Sequence, residues 1–227
     1  MQELSTLSIK LEYEFSAVEL LVLALTHRSY SKNNNERLEF LGDSILNFTI
    51  AAELYKKFPG VPEGDLSRLR SSLVDKDTLA KLATSLGLGE HIKLGGGELK
   101  TGGWRRDSIL ADATEAIFGA VYEDAGIVEA QALVLRLYQP YLENIPSVEE
   151  LKDGKTRLQE WLQGRKFPLP QYSVVSVSGK SHDQVFTIRC DVGSHDFSVD
   201  AQGKSRRKAE QEAAKLAMNQ LLEIQKK

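Results

Sequence analysis

Apolar residues recur at helical spacing through most of the first 145 positions of this 227-residue chain. Leu38, Leu41, Ile45 and Phe48, for example, cluster on one side of a helix turning by about 100° per residue, as a core-facing stripe does. Strand-like alternation of apolar and polar residues is nearly absent from this part. The pattern therefore predicts an all-helical domain, with helices at 17–25, 36–58, 65–73, 76–86, 108–124 and 128–142.

The pattern changes between residues 144 and 154. A proline, a serine and a charged stretch that ends in glycine are typical of a linker. Beyond it the pattern predicts a helix at 155–163, strands at 171–178, 183–191 and 194–200, and a long helix at 205–224. The chain is thus predicted to contain a helical domain over 1–146, a linker over 147–153 and a small α-β-β-β-α domain over 154–227.

Charge supports a division of tasks between the two domains. The net charge of −3 hides an asymmetry, because residues 1–146 carry 15 basic and 21 acidic side chains while residues 147–227 carry 14 and 11. An acidic first domain and a basic second one favour different partners for the two.

Cysteine and hydropathy exclude several classes of protein. Cys190 is the only cysteine, so neither a disulfide framework nor a cysteine-based zinc site is expected. No apolar run is long enough to span a bilayer, and no secretory signal is evident. We therefore predict a cytoplasmic protein without a membrane partner.

Five acidic residues form the main candidate site. Glu36, Glu39 and Asp43 fall within roughly 60° of one another around the helix predicted at 36–58. Asp112 and Glu115 share one face of the helix predicted at 108–124. The second pair lies among small residues that let two helices approach closely: Ala111, Ala113, Ala116, Gly119 and Ala120.

Carboxylates that lie close together repel one another, and a stable fold needs something that reduces this repulsion. Two carboxylates ~4 Å apart repel by about 4 kcal/mol at an effective dielectric near 20. Solvent, protonation or a bound cation can relieve that, and carboxylate oxygens suit hard cations such as Mg²⁺ or Mn²⁺. Such sites hydrolyse phosphodiester bonds by activating a water. The spacing alone leaves open a metal site or two solvated acidic faces.

Phe40 lies about 40° from Glu36 around the same helix, nearer to the acids than to the apolar stripe. A ring in that position could fill a pocket on a second copy of the chain. Packing against another helix of its own domain is the alternative, and the pattern leaves both open.

A basic run opens the last predicted helix. Lys204, Ser205, Arg206, Arg207 and Lys208 lie where the helix dipole and the free N–H groups already favour phosphate. Such a cluster would bind the backbone of a nucleic acid without reading its sequence. A solvated helix face is the alternative interpretation.

The decapeptide NERLEFLGDS at 35–44 closely resembles the signature of bacterial ribonuclease III. Residues 24–29 and 109–116 are similar to two further segments of that family, and the α-β-β-β-α order resembles a double-stranded-RNA-binding domain. The resemblance implies a homodimeric endoribonuclease that cuts double-stranded RNA with Mg²⁺, for which Mn²⁺ substitutes. It also implies 5′-phosphate and 3′-hydroxyl ends, a short 3′ overhang, and a role in processing precursor rRNA and other RNA.

The resemblance assigns roles to individual residues. It implies metal binding by Glu39, Asp43, Asp112 and Glu115, with Asp43 and Glu115 as the catalytic residues. Glu36 matches a supporting acid, and Phe40 matches a residue of the dimer interface. The positions that match RNA contacts are Thr156, Gln159, Glu160, Gln163, Ser181, His182, Lys204, Ser205, Arg206, Arg207 and Lys208.

The glycine-rich stretch at 95–106 is predicted to be a mobile loop, with Trp104, Arg105 and Arg106 as further candidates for RNA contact. No small organic cofactor is expected. Two other hypotheses compete with the nuclease: an RNA-binding scaffold that does not cleave, and a helical phosphohydrolase of small nucleotides with an unrelated basic tail. The complete five-acid set argues against the scaffold, and the C-terminal domain argues against the phosphohydrolase.

Overall fold

The computed structural model describes residues 2–145, 147, 152–180 and 183–224. The chain divides into two compact units, Met1–Pro146 and Ser147–Lys227. Most of the predicted linker, residues 148–151, lies outside the described residues. Of the helices that the structure describes, none is both long and apolar enough to cross a membrane.

The first unit is helical, which confirms the predicted fold class. Six of its helices agree with the predicted segments to within two residues, because apolar residues recur at helical spacing in each of them. Two further helices, α1 and the short α6, were not predicted. The helices are α1 (Gln2–Leu11), α2 (Val18–Ala24), α3 (Glu36–Lys57), α4 (Glu63–Leu73), α5 (Lys76–Leu86), α6 (Gly96–Lys100), α7 (Asp107–Ala125) and α8 (Ile127–Glu143).

Helix α7 forms the centre of this unit. Ala113, Ala116, Phe118 and Ala120 are completely buried in it, because α7 packs against α2, α3, α5 and α8. A helix that is apolar nearly all round is expected in such a central position. An acidic residue on α7 therefore has few directions in which to reach solvent.

The apolar stripe predicted on α3 is correct for Leu38 and Ile45, which are 7% and 5% exposed, but wrong for Phe48, which is 61% exposed. Phe40 is 78% exposed, which excludes the alternative that its ring packs against another helix of its own unit. The buried face of α3 is centred instead on Gly42, Leu46 and neighbouring residues that face α7. Phe40 and Phe48 consequently lie on an open face.

Residues 95–106 are more regular than the predicted mobile loop. They contain α6 and a 3₁₀ turn at Gly103–Arg105. Arg106 follows that turn, and its guanidinium pairs with the Glu98 carboxylate of α6 at 2.9 Å. This ion pair links α6 to the residue that follows the 3₁₀ turn, and the mobility of the segment stays a prediction.

The second unit has the predicted α-β-β-β-α order: α9 (Gly154–Gly164), β1 (Gln171–Ser178), β2 (Val185–Val192), β3 (Phe197–Gly203) and α10 (Arg206–Ile224). The strands form an antiparallel sheet in the order β1-β2-β3. Strand β3 begins three residues later than predicted, because a 3₁₀ turn occupies Gly193–His195. The core contains residues of both helices and the sheet, including Leu158, Leu162, Cys190, Ala213 and Leu221.

Candidate active site

Helices α3 and α7 cross at two glycines. A Cβ atom on Gly42 would overlap with the carbonyl group of Glu115, and one on Gly119 would overlap with the carbonyl group of Leu38. Backbone atoms cannot move out of the way unless the helices separate, so only glycine permits this approach. The crossing brings the acidic side of α3 against the acidic pair of α7.

Three of the five predicted acids meet at this crossing. Glu39, Asp112 and Glu115 each offer a carboxylate oxygen, and these oxygens lie within 4.8 Å of one another. All three residues are partly buried. The structure thus brings together one acid of α3 and two of α7, as the small residues of α7 predicted.

Burial and mutual repulsion disfavour the ionised state of these acids. Burial, reinforced by the charges of Asp43, Glu39 and Asp112, raises the pKa of Glu115 to about 8. Burial also raises the pKa of Glu39, with added repulsion from Asp112 and Glu36, and burial raises the pKa of Asp112. The metal-free cluster therefore resists full ionisation unless a counter-charge is present.

A hard divalent cation fits this cluster. The donors are carboxylate oxygens alone, without sulfur or imidazole, and Mg²⁺ and Mn²⁺ prefer such oxygens. A cation would neutralise the repulsion that raises the three pKa values. Glu39, Asp112 and Glu115 are therefore the residues that would hold it.

The other two predicted acids are more exposed. Asp43 lies near enough to act on the Glu115 charge, and its Oδ1 accepts a hydrogen bond of 2.7 Å from the Asn47 side-chain amide. Glu36 pairs with Arg28 at 3.3 Å. Sequence reasoning missed Arg28, because that residue lies in a different segment of the chain.

Positive charge beside the acids was the other feature that sequence reasoning missed. The Lys76 ammonium, at the start of α5, acts on Glu39, Asp112 and Glu115 and opposes the rise of each pKa. No local pattern pointed to it, because α5 reaches the cluster only by packing on α7.

A cleft of about 300 Å³ lies on one side of the acidic cluster. Its wall carries four carboxylates and two arginines, and each arginine pairs with one of the carboxylates, Arg28 with Glu36 and Arg106 with Glu98. Its lining consists of His27, Arg28, Asn35, Glu36, Glu39, Glu98, Arg106, Ser108, Ile109 and Asp112.

In the second unit, the predicted RNA contacts lie on two helices. Gln159, Glu160 and Gln163 are exposed on α9, and Thr156 is half-buried there. Glu160 also accepts from the Lys152 ammonium at 2.6 Å. Ser181 and His182 lie outside the described residues.

The basic cluster, residues 204–208, surrounds the first turn of α10. The hydroxyl of Ser205 caps the helix by accepting from the Lys208 backbone N–H at 3.2 Å. Lys204, Arg207 and Lys208 are exposed. Arg206 is exposed too, but its guanidinium donates to Glu210 at 2.9 Å.

Both units match known protein families. Residues 17–142 match the family model described as Ribonuclease-III-like, and residues 155–221 match the Double-stranded RNA binding motif. An acidic helical unit and a basic α-β-β-β-α unit with these matches define a class: double-stranded-RNA endonucleases that combine a nuclease domain with an RNA-binding domain.

Full-length relatives narrow this class. The chain is 56% identical to Ribonuclease 3 of Vibrio cholerae over 218 residues, which cover 96% of this chain and 97% of that one. It is 57% identical to Ribonuclease 3 of Vibrio vulnificus over 215 residues, covering 95% and 96%. The chain belongs to the ribonuclease III family and is an endoribonuclease that acts on double-stranded RNA.

Solved structures agree with this assignment for the first unit. The nuclease domain of ribonuclease III from Campylobacter jejuni superimposes with a TM-score of 0.60 at 44% identity, covering 65% of this chain and 99% of that one. A second structure of that domain concerns flexibility in the region involved in its dimer formation.

Proposed function

We propose that the chain hydrolyses phosphodiester bonds of double-stranded RNA with a divalent cation held by Glu39, Asp112 and Glu115. The supporting observation is the set of three carboxylate oxygens within 4.8 Å of one another. The ion is Mg²⁺, and Mn²⁺ substitutes for it, because both take oxygen ligands. Such an ion, when bound, supplies an activated water and stabilises the leaving oxygen.

The side chains of the cluster divide the remaining tasks. Glu115 is the carboxylate on which the charges of Glu39, Asp43 and Asp112 all act, so we assign it both metal binding and catalysis. Asp43 completes the metal-binding and catalytic set from the open side of α3. Glu36 is a supporting acid, since its carboxylate orients Arg28 at the edge of the cleft.

The second unit delivers the RNA duplex. Double-stranded-RNA-binding domains span ~16 base pairs and contact two minor grooves and the phosphates between them. On this basis the exposed polar residues of α9 contact one minor groove and the basic cluster contacts phosphates. Ser181 and His182 stay predicted contacts with the next minor groove.

The active form is a homodimer in which Phe40 lies at the interface. Phe40, Phe48 and Tyr55 are 78%, 61% and 73% exposed and fall on one face of α3. An exposed aromatic row of this kind is typical of a protein interface. The dimer cuts both strands and leaves 5′-phosphate and 3′-hydroxyl ends with a short 3′ overhang. Processing of precursor rRNA and a cytoplasmic location stay predictions.

The decisive experiment measures cleavage of a labelled RNA duplex by the full chain with Mg²⁺ or with EDTA. We expect cleavage only with Mg²⁺, and none of single-stranded RNA or of a DNA duplex. Product ends are identified by their response to phosphatase and kinase treatment.

A matched pair of variants assigns the site. Glu115→Gln keeps the shape of the side chain and removes its charge, so cleavage should fall by at least about 100-fold while binding of the duplex persists. Glu129→Gln, an exposed acid on α8, should cleave normally. RNA that stays intact with Mg²⁺ would contradict the proposed function, and normal cleavage by Glu115→Gln would remove that residue from the site.

A further inference from the structure

One carboxylate in the second unit joins its two RNA-facing helices. Glu210 of α10 accepts from the Lys155 ammonium of α9 at 2.8 Å through Oε2, and from the Arg206 guanidinium at 2.9 Å through Oε1. Each carboxylate oxygen thus binds one cation. Lys155 directly precedes Thr156, the first of the predicted minor-groove residues, and Arg206 belongs to the basic cluster.

Further contacts hold the same junction. The backbone N–H of Lys155 donates to the Gln211 side-chain oxygen at 3.1 Å. The backbone of Gly154 lies so close to α10 that a Cβ atom there would be 2.5 Å from the Gln211 carbonyl oxygen. The Lys155 ammonium also lies over the Tyr172 ring of β1, 4.4 Å from its centre. The start of α9 is therefore fixed against the start of α10.

The Glu210 carboxylate lies inside the junction between α9 and α10, whereas the two cations that it binds lie nearer to solvent. The Glu210 side chain is 13% exposed, whereas those of Lys155 and Arg206 are 37% and 62% exposed. Hydrogen bonds to an ionised, partly buried group are among the stronger ones in proteins. The largely buried Glu210 carboxylate thus fixes the position of the solvent-exposed Arg206 guanidinium.

We propose that Glu210 is a positioning residue which fixes the distance between the minor-groove face of α9 and the basic cluster, so that both engage a duplex together only when it has A-form geometry. The proposal rests on the proposed RNA contacts of α9 and α10. A-form RNA and B-form DNA differ in groove width and phosphate spacing. Two contact surfaces held at a fixed distance distinguish an A-form from a B-form duplex, whereas cationic side chains that move freely bind any polyanion.

The test compares full-length variants in EDTA by fluorescence anisotropy, with an RNA duplex of about 20 base pairs and a DNA duplex of the same sequence. Glu210→Gln leaves one acceptor oxygen for two cations. We expect its RNA affinity to fall about 10-fold, while its DNA affinity stays equal or rises and depends more steeply on salt, by up to about 0.9 in log–log slope for each cation released.

Glu212→Gln is the matched control. Glu212 lies on the same helix, its side chain is half-exposed, and its carboxylate pairs with the Lys215 ammonium of α10 at 3.9 Å, so the variant has the same net charge with the junction intact. Its ratio of RNA to DNA affinity should equal that of the wild type. Lys155→Met, which removes the α9 half of the link and keeps an apolar chain over Tyr172, should lower the ratio in the same direction, and it serves if Glu210→Gln does not fold.

The outcomes separate the alternatives. Equal gains in affinity for both duplexes in Glu210→Gln and Glu212→Gln would show a general charge effect and overturn the proposal. A lower melting temperature with an unchanged RNA-to-DNA ratio would leave Glu210 a purely structural role and overturn it as well. A wild type without preference for RNA would contradict the proposed RNA contacts themselves.

Discussion

Among the single residues of the site, Glu115 is one on which burial and repulsion by other acids act together. Its carboxyl is buried beside two other acids, so ionisation is unfavourable until a counter-charge arrives, and the pKa rises to about 8. A residue whose ionised form destabilises the fold in this way is expected at a functional site. The neighbouring Lys76 ammonium offsets only part of this rise in pKa.

The pH dependence of stability follows from this shift. Glu115 has a pKa of about 8 in the folded chain and an ordinary value of 4.5, so between these pH values the folded state binds more protons and the metal-free protein loses stability as pH rises. Glu115→Gln should remove this loss and gain about 2 kcal/mol at pH 8, less than the full shift implies because the group is partly solvated.

Denaturant unfolding in EDTA at pH 5 and pH 8 measures that effect. Glu36→Gln is the control, because Glu36 is exposed and paired with Arg28. Mg²⁺ should stabilise the wild type more than Glu115→Gln, since it binds the folded state alone. A wild type equally stable at both pH values in EDTA would contradict the raised pKa of Glu115.

The hydroxyl of Tyr138 is a second group that lowers the free energy of unfolding. The residue is completely buried in α8, and its hydroxyl has no hydrogen-bond partner among the described residues. Tyr138→Phe keeps the ring and removes the unpaired group, so we expect a gain of about 1 kcal/mol in the free energy of unfolding.

Urea unfolding measures this gain. Tyr141→Phe, at a less buried ring of the same helix, should change stability by no more than about 0.5 kcal/mol. A clear loss of stability in Tyr138→Phe would mean that the hydroxyl has a partner.

At the scale of elements, the crossing of α3 and α7 creates the site. The acids lie on two helices whose own periodicity places each set on one face, and the glycine contacts allow those faces to meet. Without the close approach, Glu39 would face solvent like any other acid of an amphipathic helix. The site therefore depends on residues that carry no charge.

Gly119→Ala tests this dependence. Its methyl group would overlap with the Leu38 carbonyl, so we expect a loss of about 3 kcal/mol or more and a strong loss of cleavage as the helices separate. Gly64→Ala is the control, because nothing lies near a Cβ there, and it should stabilise α4 by up to about 1 kcal/mol. Circular dichroism melts and the cleavage assay read both changes, and a Gly119→Ala variant with normal activity would contradict the role of the crossing.

At the scale of the whole molecule, two units with opposite charge character share one substrate. The acidic unit holds the proposed metal site, and the basic unit holds the proposed phosphate contacts. Each unit has its own core. The division allows the nuclease site to concentrate negative charge while the chain still binds a polyanion.

Removal of residues 147–227 should weaken RNA binding and confine cleavage to low salt, because the basic unit supplies phosphate contacts. We expect a loss of at least about 10-fold in affinity at 150 mM salt, measured by anisotropy with the truncated and full-length chains. Cleavage by the truncated chain at low salt should still require Mg²⁺. Unchanged affinity would mean that the basic unit has another partner.

Phe40→Asp tests the proposed dimer. A charge on the exposed aromatic face of α3 should convert the dimer to a monomer, as measured by light scattering, because it cannot be buried unpaired. Tyr30→Asp, at an aromatic residue that is 58% exposed and outside α3, is the control. A wild type that is monomeric at micromolar concentration would contradict the dimer.

Features that depend on local periodicity could be predicted from the amino-acid sequence. Six helices of the first unit, the α-β-β-β-α order of the second and the grouping of acids on single helix faces all follow from spacing, because a helix or strand repeats at a fixed interval. Family resemblance added the expected roles of the acids through the specific decapeptide at 35–44, and the expected RNA contacts through the α-β-β-β-α order of the second unit.

Contacts between distant segments depend on how the helices pack. Only the packing of α3 on α7 selects Glu39, Asp112 and Glu115 as the cluster and leaves Phe48 exposed, and only the packing of α5 on α7 brings Lys76 close. Only the docking of α9 on α10 joins Lys155 and Arg206 through Glu210. The physical reason is that periodicity orients a side chain about its own helix, whereas a distance between two helices depends on how closely their surfaces can approach.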